Sequence, residues 1–305
     1  MKFFSYKGKY ARKKSYVISK RLTFILVFIL CTSLAVVIGD AFIDHYQQSK
    51  YNHLSETVTA ADKTDDRLTT DIPEDDYDVS AESEPIQEPV VEEKEPVILP
   101  QYVELYESNP DMFGWIQIED TVLDYPVMHT PDVPEKYLRL TFDGEYYVGG
   151  TPFMDYRCTG ESDNLIFYGH HMKNGTMFTG IIKYADASYW QEHPVIKFNT
   201  LYEENEYEVL AAFYDRVYYA SEDCFKFYNF IDAENEADFD SAIKNYKAKA
   251  LYDTGVTPEY GDQLITLVTC SYHHENGRFV VVACQKERSG ENVGETSKSV
   301  GEQVS

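Results

Sequence analysis

The sequence predicts a mainly β protein with helices, in which eight strands close into a barrel after an N-terminal transmembrane helix. An uncharged apolar run lies near the N-terminus, and an acidic, proline-containing stretch follows it. After Leu99, aromatic and β-branched residues recur every few positions until about Lys286. Eight short strand candidates in this last part favour a barrel over an open sheet, because closure leaves no exposed edge strand.

The N-terminal region has the pattern of a membrane anchor. Residues 1–21 contain eight Lys or Arg and no Asp or Glu, and residues 22–39 carry no charge. This run is close to the ~20 residues needed to cross a bilayer, and the positive-inside rule keeps the basic flank in the cytoplasm. A cleaved signal peptide is the main alternative, since Gly39 and Ala41 form a weak cleavage pattern, but its apolar core is usually ~7–15 residues. We predict an uncleaved transmembrane helix at 22–39.

The rest of the chain is strongly acidic. Beyond residue 21 there are 19 Lys or Arg against 52 Asp or Glu, which argues against a nucleic-acid partner. Between Asp44 and Leu99 there are 16 acidic and four basic residues, with four prolines and few aromatics. Such a segment buries too little apolar surface to offset its ordering entropy, so residues 40–99 are predicted to be a disordered stalk. A polar tail is predicted at 287–305.

The folded domain is predicted to span residues 100–286. A short helix starts at Pro100 and stops at Asn109. Two further helices are predicted at 175–184 and 232–252, and in the second of these an apolar face recurs at helical spacing. The eight strand candidates cover residues 115–118, 122–128, 152–155, 164–169, 195–201, 206–217, 263–270 and 278–285.

The last two strands form a predicted hairpin that carries a thiol. With the turn centred near His274, strand alternation places Cys270 opposite Arg278 and Cys284 opposite Leu264. Cys284 is then roughly 20 Å from Cys270, beyond the ~7 Å Cα limit for a disulfide. Cys270 could still bridge to Cys158 or Cys224, so the residues alone leave a free nucleophile and a disulfide both open.

A nucleophilic cysteine needs a base or ion-pair partner, because a free thiol is mostly protonated at neutral pH. The domain offers several histidines: His129, His170, His171, His193, His273 and His274. His170 and His171 end an apolar strand, whereas His273 and His274 have the default character of solvated turn residues. Adjacent histidines in a strand point to opposite faces and no closely spaced ligand pair occurs, so no metal and no cofactor is predicted.

These residues resemble a known family. The segment "TLVTC", ending at Cys270, with Arg278 on the next strand, resembles the TLxTC signature and catalytic arginine of sortases, the transpeptidases that attach proteins to Gram-positive cell walls. "YGHHMKNGTMF", residues 168–178, resembles the histidine segment of class B sortases. "NPDMFGWIQI", "DYPVM" and "GTPFMDY" do so as well, and the resemblance covers roughly residues 102–286.

The resemblance implies an eight-stranded sortase-type β-barrel and three catalytic residues, with Cys270 as nucleophile, His170 as acid and base, and Arg278 as third member. His171 has no role implied by the family, and a contribution from His273 or His274 stays open. The implied partners are surface proteins with a C-terminal sorting motif and a peptidoglycan precursor or cross-bridge amine. Substrate residues are expected in the region 218–262 and on the rim near His170.

The sequence therefore predicts a single-pass protein of the cell membrane, with a cytoplasmic N-terminus and an extracellular class B-like cysteine transpeptidase domain. Two alternatives are kept. One is a hydrolytic cysteine peptidase, which would release its cleaved substrate with water even in the presence of an amine. The other is a non-catalytic cell-wall binding module, for which Cys270 would be dispensable.

Overall fold

The computed structural model describes residues 20–68 and 96–286. Residues 1–19 of the predicted basic segment, residues 69–95 of the predicted stalk and the predicted tail 287–305 lie outside the described residues. The chain divides into two compact units, with the boundary between Gln47 and Gln48. The second unit holds the barrel.

The first helix, α1, runs from Lys20 to Leu68 and contains the predicted transmembrane residues. It is long and apolar enough to cross a membrane, and no part of its most apolar window is buried. The prediction of disorder is wrong for residues 40–68, which are helical. Tyr51, Leu54 and Val58 recur at i, i+3 and i+7 and pack against the core of the second unit. The average composition of the acidic stretch hides this short apolar face.

All eight predicted strands are present. They are β1 Met112–Gln117, β2 Asp124–Met128, β3 Phe153–Met154, β4 Asn164–Tyr168, β5 Val195–Thr200, β6 Glu206–Arg216, β7 Leu264–Cys270 and β8 Gly277–Gln285. Their order around the sheet is β1, β2, β3, β4, β7, β8, β6 and β5, and β5 pairs with β1 to close the barrel. The β2–β3 and β4–β7 pairs are parallel, and the other neighbours are antiparallel.

The helices of the second unit differ from the prediction at their ends. Helix α2 is Pro100–Ser108, and a 3₁₀ helix at Phe178–Ala185, followed by α3 at Ala187–Glu192, replaces the helix predicted at 175–184. Helix α4 is Glu236–Lys249, shorter than the predicted 232–252. It begins after Asn235, whose side chain accepts a hydrogen bond from the Asp238 backbone nitrogen. The chain becomes extended at Ala250.

Strand β7 is buried on both faces. Every residue from Leu264 to Thr269 is buried. On one side the barrel interior is filled by aromatic side chains such as Phe167 and Phe198, whose ring centroids lie 4.5 Å apart. On the other side Thr266 donates to Asn164, and Asn164 contacts Tyr246 of α4. Parallel pairs are typically covered in this way, and each fully buried large apolar side chain contributes about 1.5–3 kcal/mol.

Candidate active site

A cysteine and an arginine lie side by side where β7 and β8 meet their connecting turn. Cys270 and Arg278 are directly opposite one another in the strand register, and both are partly exposed. The same register places Cys284 opposite Leu264. Both predicted pairings are thus confirmed. All five cysteines of the chain lie in the described residues and none forms a disulfide, so Cys270 is a free thiol.

His170 comes to this point from the neighbouring strand. Strand β4 runs parallel to β7, and beyond its last paired residue the Gly169 nitrogen donates to the Val268 carbonyl at 3.1 Å. The Thr269 hydroxyl donates to the Gly169 carbonyl at 2.7 Å. These bonds hold the ends of β4 and β7 together. His170 therefore lies on the same cavity as Cys270.

The three predicted catalytic residues, His170, Cys270 and Arg278, all line one cavity of about 350 Å³. Its remaining walls come from four parts of the chain. They include Thr130, Glu135 and Leu138 before β3, Phe153 and Asp155 around β3, Tyr168 and Val268 on the central strands, and Val217, Phe227 and Tyr228 after β6. The cavity is largely apolar in lining, with the polar groups concentrated in a few side chains, as in many ligand sites.

Gly169, the residue before His170, allows the Phe178 ring to pack against the backbone at the end of β4. A Cβ atom at this position would lie 2.4 Å from the Phe178 ring. The aromatic ring can therefore approach the main chain only because the residue is glycine. In return the Phe178 nitrogen donates to the His170 carbonyl at 3.1 Å, so both sides of His170 are fixed by backbone contacts.

The His170 ring has a defined proton position. Its Nε2 lies 2.9 Å from the Leu138 carbonyl oxygen, which can only accept, so Nε2 carries the proton. In the neutral ring Nδ1 is then the basic nitrogen. Burial lowers the pKa of His170 below its ordinary value of 6.5 and the positive charge of Arg139 also lowers it, although the Leu138 carbonyl opposes them. A neutral His170 can take up a proton from a thiol.

The other histidines near the turn have structural contacts. The Nδ1 of His171 donates to the carbonyl oxygen of Cys270 at 3.0 Å, and its ring packs on Tyr272. His171 thus holds the main chain of the cysteine rather than its sulfur. His273 contacts the Ser271 hydroxyl and His274 contacts the Glu275 carbonyl, and neither histidine lines the cavity.

Arg278 leaves its charge available to the cavity. Its guanidinium donates to the Gly277 carbonyl at 3.0 Å. Within residues 20–68 and 96–286 no carboxylate forms an ion pair with it. A guanidinium with unused N–H groups beside a thiol can stabilise negative charge on a carbonyl oxygen.

A buried carboxylate in the cavity wall was not singled out from the sequence. Asp155 follows β3 and accepts hydrogen bonds from Arg157 and from the Tyr168 hydroxyl, the latter at 3.0 Å. Burial opposes its ionisation, but the hydrogen bonds from Arg157 and Tyr168 prevail and hold the pKa of Asp155 below its ordinary value. The spacing of Asp155 and Arg157, two residues apart after a strand, is the one local signal for this pair.

The other thiols of the second unit differ from Cys270 in their surroundings. Cys158 and Cys284 are buried, and burial raises the pKa of Cys158 to about 11 and that of Cys284 to about 12. Such thiols behave as small apolar side chains. Cys224 is exposed and does not line the cavity.

A closed eight-stranded barrel with a free cysteine, a histidine and an arginine on one cavity is the arrangement of an enzyme that uses a cysteine nucleophile. The chain belongs to the sortase family, since the Sortase domain model matches residues 116–286. It is 34% identical over 184 residues to sortase B of Listeria monocytogenes serovar 1/2a, covering 58% of this chain and 71% of the relative.

Two further comparisons agree. The chain is 32% identical over 192 residues to sortase B of Staphylococcus aureus, covering 61% of this chain and 75% of the relative. Its fold matches the Staphylococcus aureus sortase B-substrate complex with a TM-score of 0.62 at 25% identity, over 81% of this chain and 99% of that one. The resemblance to class B sortases and the predicted barrel are confirmed.

Proposed function

We propose that this protein is a membrane-anchored sortase that cleaves a C-terminal sorting motif of surface proteins and transfers the acyl group to a cell-wall amine. The observation that carries the proposal is the shared cavity of His170, Cys270 and Arg278. The solved sortase B-substrate complex supports a substrate of this kind.

In the first step the neutral His170 takes the proton of Cys270, and the thiolate sulfur attacks the carbonyl carbon of the scissile peptide bond. Arg278 donates hydrogen bonds to the oxygen on which charge develops. The carbon–nitrogen bond then breaks, and the His170 imidazolium gives its proton to the leaving amine. The products are a thioester on Cys270 and a free C-terminal peptide.

In the second step an amine from a peptidoglycan precursor or cross-bridge attacks the thioester. His170, neutral again, takes the proton of this amine, and the sulfur leaves as a thiolate that recovers a proton. A new amide bond replaces the thioester. The low pKa of His170 supports both steps, because the free ring is ready to accept a proton.

The substrate surface is proposed to include the connection between β6 and β7, residues 218–262, and the rim near His170. Phe227 and Tyr228 of this connection line the cavity, as does Val217 just before it. The aromatic faces of Phe227 and Tyr228 suit an extended peptide whose reactive carbonyl reaches Cys270. Tyr168 and Asp155 line the same cavity and offer polar contacts to such a peptide.

The proposed topology is a single crossing by residues 22–39, with residues 1–21 in the cytoplasm and the barrel outside the cell. The length and apolar character of α1 support the crossing, and the eight basic residues before it support the direction. The catalytic domain is proposed to comprise residues 100–286 together with the part of α1 that packs on the barrel.

The test is mass spectrometry of the full chain in detergent micelles after incubation with a library of sorting-motif peptides. We expect an acyl adduct on Cys270 that is absent in Cys270→Ala and is discharged when an amine is added. The matched control is Cys224→Ala, which removes an exposed thiol outside the cavity and should keep the adduct. Absence of any adduct across the library would overturn the proposal, and discharge by water alone would favour a hydrolytic peptidase.

A further inference from the structure

Helix α1 contacts the segment that holds His170. Tyr51 is only 2% exposed, and its hydroxyl lies 3.0 Å from the Gly150 carbonyl oxygen and 2.8 Å from the Thr151 hydroxyl. Its ring packs edge-on against Tyr125 with the centroids 5.3 Å apart. A buried tyrosine with a satisfied hydroxyl fixes its neighbours more strictly than an apolar side chain of the same size.

The residues that Tyr51 holds lie directly against the carbonyl that binds His170. The Thr151 nitrogen donates to the Tyr137 carbonyl at 3.0 Å. Gly150 has a φ of +57°, and a Cβ atom there would lie 2.6 Å from the Leu138 oxygen. That oxygen accepts the hydrogen bond from His170 Nε2. One short series of contacts therefore joins Tyr51, through Gly150, to the His170 ring.

A second contact of α1 holds the far end of the same segment. Lys50 forms ion pairs of 2.8 Å with Asp143 and with Glu145. Both carboxylates belong to the turn between Leu140 and Tyr146, which form a β-bridge. Exposed ion pairs contribute about 0.2–1 kcal/mol, so the buried Tyr51 is the stronger of the two contacts.

A third contact reaches His170 from the opposite side. The Tyr125 hydroxyl donates to Gln48 at 3.1 Å and accepts from the Met177 nitrogen at 3.1 Å. Met177 has a φ of +55°, a backbone conformation that residues other than glycine rarely adopt and that surrounding contacts must stabilise. The backbone N–H of the next residue, Phe178, donates a hydrogen bond to the His170 carbonyl.

We propose that residues 48–51 of α1 are a positioning element of the active site, with Tyr51 as the positioning residue for His170. The inference goes beyond the proposed function and rests on it for the role of His170 in proton transfer. Tyr51 touches neither substrate nor reacting atoms. It acts by holding the Leu138 carbonyl, the hydrogen-bond acceptor that fixes the proton on Nε2 and leaves Nδ1 for the reaction.

The test compares Tyr51→Phe with the wild type in full-length protein held in detergent micelles, well below the melting temperature. Loss of the hydroxyl should lower kcat by roughly 10-fold, less than the ~10²-fold cost of a full 1 Å misplacement, with a smaller change in KM. The matched control is Tyr202→Phe, the same change at a tyrosine that is 43% exposed and outside the cavity.

A second readout needs no substrate. Nitrogen-15 NMR follows the titration of the His170 ring, whose signal is identified by its absence in His170→Gln. A displaced Leu138 segment exposes the ring, which raises the pKa of His170, and weakens the hydrogen bond to the Leu138 carbonyl, which lowers it. Burial is the larger of these two causes, so the titration should move upward, toward that of a solvated histidine. Tyr51→Phe leaves unchanged the other charged and titratable groups around His170. These are Arg139 and the cavity residues Glu135, Asp155, Tyr156, Tyr168, Tyr228, Cys270 and Arg278.

A third variant tests the path of the effect. Thr151→Val removes one of the two groups that the Tyr51 hydroxyl contacts and leaves its bond to the Gly150 carbonyl. Tyr51→Phe should therefore cost less in that background than in the wild type, and the cost that remains measures the Gly150 contact. The inference is overturned if Tyr51→Phe changes only the melting temperature and matches Tyr202→Phe in kcat, KM and His170 titration. An inactive wild type would instead contradict the proposed function, while the titration would still test the role of Tyr51.

Discussion

At the residue scale, the role proposed for Arg278 is to stabilise charge that develops beside Cys270. Arg278→Lys keeps the positive charge but loses the planar set of donors. Removal of a donor to a developing oxyanion typically costs on the order of 10²-fold in kcat, and we expect a loss of about that size. Steady-state kinetics with an acceptor amine would measure it, and Arg216→Lys, outside the cavity, serves as the control. A wild-type kcat in Arg278→Lys would contradict the assignment.

The protonation of His170 should set the acidic side of the pH profile of kcat/KM. Its pKa lies below 6.5 because of burial, so the ring is neutral at pH 7. As the pH falls through this pKa the ring becomes protonated and can no longer accept the proton of Cys270. We expect kcat/KM to stay level down to about pH 6.5 and to fall only below it, in a plot of kcat/KM against pH. An acidic limb centred above pH 6.5 would show that another group controls it.

At the element scale, the junction between β4 and the following 3₁₀ helix depends on Gly169. Gly169→Ala would place a Cβ atom 2.4 Å from the Phe178 ring, so the ring or the strand end must shift and displace His170. We expect a loss of activity on the order of 10²-fold with the barrel still folded. Gly180→Ala in the same 3₁₀ helix is the control, because a Cβ atom there meets nothing within 4 Å.

The two measurements for this pair are the rate of Cys270 acylation and the melting temperature. Equal acylation rates for the two variants would mean that the close approach of Phe178 does not govern the position of His170. A collapse of the melting temperature in Gly169→Ala alone would assign the glycine to folding instead.

At the scale of the whole molecule, the barrel unit begins inside α1 and not at Pro100. A chain that starts at Gln48 keeps Tyr51, Leu54 and Val58, whereas a chain that starts at Pro100 loses them. Full burial of one such side chain is worth about 1.5–3 kcal/mol, so the shorter chain should be less stable by several kcal/mol. Urea unfolding of both chains would measure the difference, and equal stabilities would show that the helix is dispensable.

Local patterns in the sequence determined the strands and the Cys270–Arg278 pairing. They also excluded Cys284 as a disulfide partner of Cys270. Side chains alternate with a period of two along a strand, and a short hairpin fixes its own register, so residues close in the chain are enough. The family motifs added His170. The acidic composition predicted disorder for residues 40–68, which are helical, because it did not reveal the brief apolar face from Tyr51 to Val58.

Only the tertiary structure decided how His170 is held and what surrounds Cys270. The contacts of His171 with Cys270 and of Tyr51 with Thr151 join residues about one hundred positions apart, and the His170–Leu138 bond joins the end of a short 3₁₀ helix, Lys136–Leu138, to a strand end. No local period encodes such contacts. They arise because barrel closure and the packing of α1 bring distant backbone groups together, and buried polar groups must then find partners there.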